Sequence, residues 1–189
     1  MKYNQVTIKD IARELGISPS TVSRALKDHP DISPQTKKAV NELADKLNYQ
    51  PNIVALSLRQ SKTNTLGIII PELVHFFFST VISGIEDVAN SAGYNVIITQ
   101  SNESLQREKM NIKTLFNSRV DGMLISLSRE TSSFEHIEGI LAKGVPMVFF
   151  DRVYENANSS MVIVDDLSGA KEATQHLIDQ GCKRIAHLE

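Results

Sequence analysis

From Thr65 onward, short apolar segments alternate with longer stretches that have helical spacing. The helical stretches cover residues 77–91, 104–118, 133–142 and 167–180. The apolar segments around them are TLGIII, YNVIIT, DGMLIS, VPMVFF, MVIVDD and RIAHLE. Apolar strands that alternate with helices are typical of βαβ units around a parallel sheet whose two faces are both covered. The sequence therefore predicts an α/β domain in this part of the chain.

The first third of the chain has the pattern of short helices. Thr7, followed three residues later by Asp10, predicts a capping-box start, and Gly16 predicts the end of the same helix. The residues between them form one apolar stripe at helical spacing, namely Ile8, Ile11, Ala12 and Leu15.

The tripeptide Ile-Ser-Pro occurs twice in this region, at residues 17–19 and 32–34. In each copy the serine is a good N-cap, and the proline suits the first helical position, where its missing N–H costs nothing. We therefore expect a second helix at about 19–26 and a third at about 34–47, which the segment NYQPN ends.

The second predicted helix has two distinct faces. Val22 and Leu26 are four residues apart and face the core, whereas Ser20 and Arg24 share the opposite face. Two helices joined by a Gly-containing turn are the pattern of a helix-turn-helix, in which the first turn of the second helix meets base edges in the DNA major groove. There, Arg24 can bind guanine or a phosphate, and Ser20 can bond to several bases.

The two helices that begin with Ile-Ser-Pro carry different residues after the cap. In the second helix, the hydroxyls of Thr21 and Ser23 suit phosphate groups. The third helix carries a mixture of charges that is typical of a solvated scaffold face. The alternative for the second helix is that its polar face is also merely solvated, as in a small helical bundle without a nucleic-acid partner.

Charge divides unevenly along the 189 residues. Residues 1–62 contain 10 Lys and Arg against 6 Asp and Glu, a net charge of +4, whereas residues 63–189 contain 10 against 16, a net charge of −6. This asymmetry favours nucleic-acid contact confined to the first part, although ordinary scatter of surface charge also explains it.

Targeting signals are not recognisable in the sequence. No apolar run is long enough to predict a transmembrane helix, and the first ten residues lack the apolar region of a secretory signal. The single cysteine, Cys182, cannot form an internal disulfide and suits a reducing compartment. These features predict a cytoplasmic protein that does not contact membranes.

Several of these segments together resemble the lactose-repressor/galactose-repressor (LacI) family of bacterial transcription regulators. They are VTIKDIARELGISPSTVSRAL, NYQPN, the spacing Ala55-x-x-Leu58, and TLGIIIP. The resemblance implies an N-terminal all-α helix-turn-helix headpiece, a hinge helix that forms on operator DNA, and a periplasmic-binding-protein-like (type I) α/β effector domain. The implied bounds are 1–50 for the headpiece, 51–64 for the hinge helix and linker, 65–160 for the N-terminal lobe and 161–189 for the start of the C-terminal lobe. That second lobe would be incomplete, as in a truncated chain.

The resemblance also implies partners. Members of the family bind a pseudopalindromic operator in double-stranded DNA as homodimers and respond to a small-molecule effector, here a sugar or related metabolite. By position, Pro19, Ser20 and Arg24 fall on base-reading sites, Tyr49 on a phosphate-contact site, and Leu58 on the side chain that wedges into the minor groove. The candidate DNA-binding residues are Thr7, Ser18, Pro19, Ser20, Thr21, Ser23, Arg24, Tyr49, Ala55 and Leu58.

Two of these positions depart from the family pattern. Pro19 has no side-chain hydrogen bond to offer, so only an apolar contact, such as one with a thymine methyl group, is available there. Leu56 stands where many relatives carry arginine, which removes one phosphate contact beside the wedge.

Candidate effector-binding residues lie near the ends of the apolar segments. By the resemblance, Phe77 and Phe78 fall where aromatic side chains line the effector cleft, although core packing also explains a run of phenylalanines. Asp151 and Arg152 come directly after the segment VPMVFF, and an arginine there can pair with a sugar hydroxyl, a carboxylate or a phosphate.

The sequence does not predict an enzyme. The five histidines are scattered, and there is no Gly-rich phosphate loop, nucleophile elbow or His-based dyad. We therefore expect no catalytic residue, no metal site and no cofactor. The main alternative to a DNA-binding regulator is a sugar-binding protein without a DNA role, and both the N-terminal charge and the missing signal sequence disfavour it.

Overall fold

The computed structural model describes residues 6–50, 62–74 and 76–187. The chain divides into two compact units, Met1–Thr63 and Asn64–Glu189. In the described part of the chain, no helix is both long enough and apolar enough to cross a membrane.

The first unit contains three helices, α1 (Ile8–Leu15), α2 (Pro19–Ala25) and α3 (Pro34–Lys46). Each helix contributes to one small apolar core, which consists of Ile11, Ala12, Val22, Ala25, Val40, Leu43 and Ala44. Helices of 7 to 13 residues are marginal in water alone, so this shared core supplies much of their stability.

The ends of these helices agree with the predicted signals. Gly16 comes after α1 in the left-handed conformation, with φ of 66°, and Asn48 adopts a φ of 48° shortly after α3. At the start of α1, the Asp10 carboxylate accepts from the Thr7 N–H at 3.0 Å and from the Thr7 hydroxyl at 2.7 Å. These local bonds set the helix bounds that the sequence predicted.

The second unit is an α/β structure built on a five-stranded parallel sheet. Its strands are β1 (Thr65–Ile70), β2 (Asn95–Gln100), β3 (Gly122–Ile125), β4 (Met147–Phe150) and β5 (Ser160–Val162). The strand order is β2-β1-β3-β4-β5, and every pair is parallel. The helices are α4 (Phe76–Ser91), α5 (Leu105–Asn117), α6 (Glu135–Leu141) and α7 (Asp166–Asp179).

Two apolar clusters cover the two faces of this sheet. On one face, α4 packs on β1 and β4 through Phe78 and Ile82, which meet Ile68, Ile70 and Phe150. The cluster on the other face joins α5 and α6 to the strands and contains Ile69, Ile112, Leu115, Met123, Ile125, Ile137, Ile140 and Phe149. Successive side chains of β1 therefore enter opposite clusters, as a strand buried on both faces requires. The predicted parallel α/β fold is confirmed.

The end of the second unit differs from the prediction. The segment RIAHLE was expected to form a strand, but residues 184–187 form none, and their side chains are exposed. A strand needs a hydrogen-bonded neighbour, and no described strand pairs with these residues. Helix α7 likewise has no buried residue. The predicted division at 160/161 stays a prediction; the short strand β5 is bonded to β4 at the edge of the sheet.

Gly67 provides a test of how closely α5 packs on β1. A Cβ added to Gly67 would lie 2.6 Å from Cδ1 of Leu115, whose side chain is 1 % exposed. We expect Gly67→Ala to lower the free energy of unfolding by about 1–3 kcal/mol, because the buried leucine must leave its rotamer. Urea unfolding monitored at NMR signals of the second unit measures this loss.

Gly139→Ala is the matched control. Gly139 lies inside α6, and nothing is within 4 Å of the position its Cβ would take. Here alanine should stabilise the unit by about 0.5–1 kcal/mol through its greater helix propensity. Equal effects at the two glycines would contradict the close packing of α5 on β1.

Candidate functional site

Ser18 organises the start of α2. Its hydroxyl oxygen accepts the Thr21 N–H at 3.1 Å and lies 2.7 Å from the Ser20 hydroxyl and 2.8 Å from the Thr21 hydroxyl. Pro19 occupies the first helical position. The first turn of α2 thus carries a group of hydroxyls, an arrangement suited to hydrogen-bonding a polar partner.

Ser33 repeats this arrangement at the start of α3. Its hydroxyl oxygen accepts the Thr36 N–H at 3.2 Å and lies 2.8 Å from the Thr36 hydroxyl. The side chains after this cap have different partners, however. Lys37 pairs with Asp28, in the turn after α2, at 2.6 Å. The Lys37 hydrogen bond and charge lower the pKa of Asp28. The second Ile-Ser-Pro copy therefore begins a helix whose Lys37 side chain is bonded to the preceding turn.

The described DNA-binding candidates differ in exposure. Ser20 and Arg24 are exposed one turn apart on α2, opposite the buried Val22. The other exposed candidates are Thr7, Ser18 and Pro19, and the half-buried ones are Thr21, Ser23 and Tyr49. The structure thus places Ser20 and Arg24 together on the exposed face of α2.

Thr7 is exposed but engaged in the cap of its own helix. The N–H and the hydroxyl of Thr7 both donate to Asp10, so neither is available to donate elsewhere while these bonds hold. The Thr7 side-chain bond, and then the backbone bond, lowers the pKa of Asp10. Ala55 and Leu58, with the hinge helix predicted around them, lie outside the described residues.

In the second unit, the strand order defines where a ligand can bind. In the sheet, β2 lies on one side of β1 and β3 lies on its other side. The neighbouring strands β1 and β3 are therefore followed by loops that diverge from each other. In open parallel sheets, ligands bind in the crevice at such a switch point, beyond the carboxyl ends of the strands. The effector-binding candidates to consider are therefore those near the carboxyl ends of β1 and β3.

The two aromatic candidates separate in the structure. Phe77, the second residue of α4, is 52 % exposed, whereas Phe78 is 5 % exposed. The Phe78 ring belongs to the core cluster under α4, where its edge-on partners are Phe77 at 5.2 Å and Phe150 at 6.5 Å between ring centroids. Direct contact of Phe78 with an effector stays a prediction, and its burial disfavours it.

Asp151 and Arg152 come after β4 and bond to different partners. Asp151 has a φ of 59° and is exposed, and its Oδ2 accepts from the Ser126 hydroxyl at 3.0 Å. Arg152 Nη1 donates to both carboxylate oxygens of Glu103, at 2.9 and 2.8 Å, and to the Leu127 carbonyl at 3.2 Å. Arg152 is therefore already engaged by groups of its own domain.

Sequence reasoning did not find Glu103. Its carboxylate also accepts the Arg129 N–H at 2.8 Å, and the Arg129 side chain lies 3.8 Å away. Desolvation raises the pKa of Glu103, but the bonds and charges from Arg129 and Arg152 outweigh it and lower the pKa overall. One carboxylate thus holds two arginines at the carboxyl edge of the sheet.

Glu108 is the second residue that sequence reasoning did not find. Its side chain is fully buried, and it accepts from the Ser128 N–H at 2.7 Å and bonds to His136 Nε2 at 2.9 Å. The signal was present in the sequence, because Glu108 lies on the same helical stripe as Ile112 and Leu115. A charged residue on an apolar stripe indicates a buried polar contact.

Comparison with known proteins agrees with this architecture. Residues 7–52 match the family model described as "Bacterial regulatory proteins, lacI family". Residues 63–189, more than half of the chain, match the model described as "Periplasmic binding proteins and sugar binding domain of LacI family". The chain therefore belongs to the LacI family, and the predicted family and fold class are confirmed.

Individual relatives match along almost the whole chain. Catabolite control protein A from Priestia megaterium is 36 % identical over 183 residues, which are 97 % of this chain and 54 % of the relative. The ribose operon repressor from Halalkalibacterium halodurans is 35 % identical over 182 residues, which are 96 % of this chain and 53 % of the relative. The crystal structure of the lac repressor dimer bound to operator and the anti-inducer ONPF matches with a TM-score of 0.82 at 25 % identity. The match covers 97 % of this chain and 55 % of the lac repressor chain.

These relatives are longer than this chain, and their names indicate the class of protein to which they belong. The chain spans about half the length of the curated relatives it matches. Two of the three proteins are repressors by name, and none of the three is named as an enzyme.

The two Ile-Ser-Pro copies generate a prediction for the first unit. Ser18→Ala and Ser33→Ala should each lower its stability by about 0.5–2 kcal/mol, because each removes one N-cap of the same geometry. Urea unfolding of the full chain, monitored at the Val22 and Val40 amides by NMR, gives both values. A loss at only one serine would contradict the equivalence of the two caps.

Proposed function

We propose that this chain is a sequence-specific DNA-binding transcription regulator, a repressor, which binds a pseudopalindromic operator as a homodimer in the cytoplasm and is modulated by a sugar or related metabolite. The observation that carries the proposal is the exposed face of α2, which begins at a hydroxyl-rich cap and lies opposite the buried Val22. This face belongs to the part of the chain that matches the bacterial regulatory family.

Each DNA-binding candidate of the first unit that is named below has a role that its chemistry supports. Arg24 is the base reader, because a guanidinium can bond in bidentate fashion to guanine O6 and N7. Ser20 can donate to or accept from several bases, and Pro19 offers an apolar contact to a thymine methyl group. Ser18, Thr21, Ser23 and Tyr49 fit phosphate contacts, which fix the register of the helix in the groove.

The proposal extends to the segment between the two units by resemblance alone. There, Leu58 would wedge into the minor groove and Ala55 would allow close approach of the hinge. We propose the bounds 1–50 for the headpiece, 51–64 for the hinge and linker, 65–160 for the first effector lobe and 161–189 for the start of the second.

The effector is proposed to bind at the carboxyl edge between β1 and β3. Phe77 presents an exposed ring that can stack on the apolar face of a sugar, and the Asp151 carboxylate can accept hydrogen bonds from sugar hydroxyls. Arg152 contributes through the geometry of its pair with Glu103. Phe78 supports Phe77 from the core. DNA and effector would favour different arrangements of the effector domain, and this coupling makes the repressor responsive.

A sugar-binding protein without a DNA role is the alternative. The net charge of +4 over residues 1–62 favours the DNA-binding function, because phosphate neutralisation by Lys and Arg dominates the affinity of proteins for DNA. We assign no catalytic residue, metal or cofactor to the chain.

Selection of bound duplexes from a random DNA pool at two salt concentrations tests the proposal. We expect enrichment of a two-fold symmetric site with a flexible central step, and weaker binding at the higher salt concentration. Enrichment of half-sites alone would argue against dimeric binding by this chain. Recovery of no sequence at either salt concentration would favour the sugar-binding alternative.

Arg24→Ala tests the base-reading role directly. We expect it to cost about 1–3 kcal/mol of binding free energy on the enriched duplex and to relax the preference at one base pair of each half-site. Fluorescence anisotropy with single-base variants of the duplex measures both effects.

Lys38→Ala is the control for that experiment. Lys38 is exposed on α3, where it lies 3.9 Å from Glu42. The Lys38→Ala variant should leave the base preference of the protein unchanged. If Arg24→Ala weakened binding to all duplexes equally, Arg24 would be a phosphate contact instead.

A further inference from the structure

Glu108 is a buried acid in a position where packing alone would place an apolar side chain. Its side chain is fully buried on α5, in line with the core residues Ile112 and Leu115. Burial of a carboxylate is strongly unfavourable unless hydrogen bonds compensate for the lost water. The structure therefore has to supply donors, and their location indicates what the carboxylate stabilises.

The donors come from the segment after β3 and from the start of α6. The Ser128 N–H donates to Oε2 at 2.7 Å, and the Thr131 hydroxyl lies 3.0 Å from both oxygens. His136 Nε2 lies 2.9 Å from Oε1, and its side chain is 11 % exposed. Desolvation raises the pKa of Glu108, but the bonds from His136, Ser128 and Thr131 outweigh it and lower the pKa overall. The carboxylate is therefore bonded to two residues of this segment, Ser128 and Thr131, and to one residue of α6, His136.

The segment Leu127–Thr131 is held at each of its five residues. Ser128 also donates its hydroxyl, at 2.7 Å, to the hydroxyl of Ser101, which comes directly after β2. The Glu130 carboxylate accepts the Leu105 N–H, the first of α5, at 3.1 Å. Such a density of bonds is unusual for a connecting loop, since loops are ordinarily the most mobile parts of a fold. The segment is therefore fixed relative to α5.

The same segment sets the position of the arginine at the effector edge. The Leu127 N–H donates to the Arg152 carbonyl at 3.1 Å, and the Leu127 carbonyl accepts from Arg152 Nη1 at 3.2 Å. The next residue but one, Arg129, donates its N–H to Glu103, whose carboxylate holds Arg152. A shift of Ser128 would thus be transmitted to the Glu103–Arg152 pair through both of its neighbours.

We propose that Glu108 is a positioning residue, which fixes the segment Leu127–Thr131 from inside the domain and thereby orients the Arg152 guanidinium at the carboxyl edge of the sheet. The inference rests on the proposed function only in treating that edge as the effector site. The Glu108 side chain itself is buried and does not touch the ligand.

Glu108→Gln tests this role in the full chain. The amide can still accept the Ser128 N–H, but it cannot also accept from both Thr131 and His136. His136 Nδ1 is buried without a partner among the described residues, so a change of tautomer would leave an unsatisfied N–H there. We expect amide hydrogen exchange at Ser128 and Arg129 to accelerate by about tenfold or more, and the NMR signal of the Arg152 side-chain N–H to shift.

The control variant is Glu135→Gln, which makes the same chemical change at an exposed residue next to His136. It should leave exchange at Ser128 and the Arg152 signal unchanged. Exchange at the Ile69 and Ile70 amides of β1 serves as the internal reference, and we expect Glu108→Gln to leave it unchanged.

Two results would overturn the proposal. Wild-type exchange at Ser128 and Arg129 in Glu108→Gln would show that the carboxylate does not fix the segment. Equal acceleration at β1 and at the segment would show that Glu108 only stabilises the fold.

Should Glu108→Gln fail to fold, Thr131→Val removes one donor while keeping the side-chain shape, and unchanged exchange at Ser128 in that variant would also overturn the proposal. None of these measurements uses DNA or sugar, so a wild-type chain that bound neither would defeat the proposed function and leave this result standing.

Discussion

The α/β unit depends on the pairing of β1 with a strand on each side. All six residues of β1 pair with β2, and Leu66–Ile69 pair with β3. Because both neighbours are parallel, each must be reached by a helical crossover, and α4 and α5 cover opposite faces of the sheet. The loop after β1 leads to α4, and the loop after β3 leads to α6 on the opposite face, so the two loops leave in different directions. The crevice between them is a consequence of strand order, and any ligand site of this unit has to be considered there first.

The helical unit relies on local bonds in place of a large sheet. Its helices are short, and each of α2 and α3 begins at a serine whose hydroxyl caps the first turn. With the caps and a core around Ile11, Val22 and Val40 in place, the opposite face of α2 is not needed for packing. That freedom allows polar residues such as Ser20 and Arg24 to be placed on the exposed face, where a partner can reach them.

Features set by neighbouring residues in the chain could be predicted from the sequence. The caps at Ser18 and Ser33 and the period of the apolar segments each depend on only a few residues. The errors and omissions concern distant contacts. Residues 184–187 have strand composition but no strand partner among the described residues. The pair between Arg152 and Glu103 joins residues 49 positions apart, and no local pattern indicates it. Glu108 could be predicted in part. Its place on an apolar stripe is visible in the sequence, whereas the hydrogen-bond donors around it are not.

The hydrogen bonds at the carboxyl edge of the sheet also distinguish its two acidic residues, Glu103 and Asp151. An ionised carboxylate accepts about four hydrogen bonds. Glu103 already accepts three, two from Arg152 Nη1 and one from the Arg129 N–H, so only about one acceptor position remains there for a ligand hydroxyl. Asp151 accepts from Ser126 through Oδ2, and its side chain is exposed. Within the proposed effector site, Asp151 is therefore the acceptor that a ligand can use at low cost, and Arg152 belongs to the framework that surrounds it.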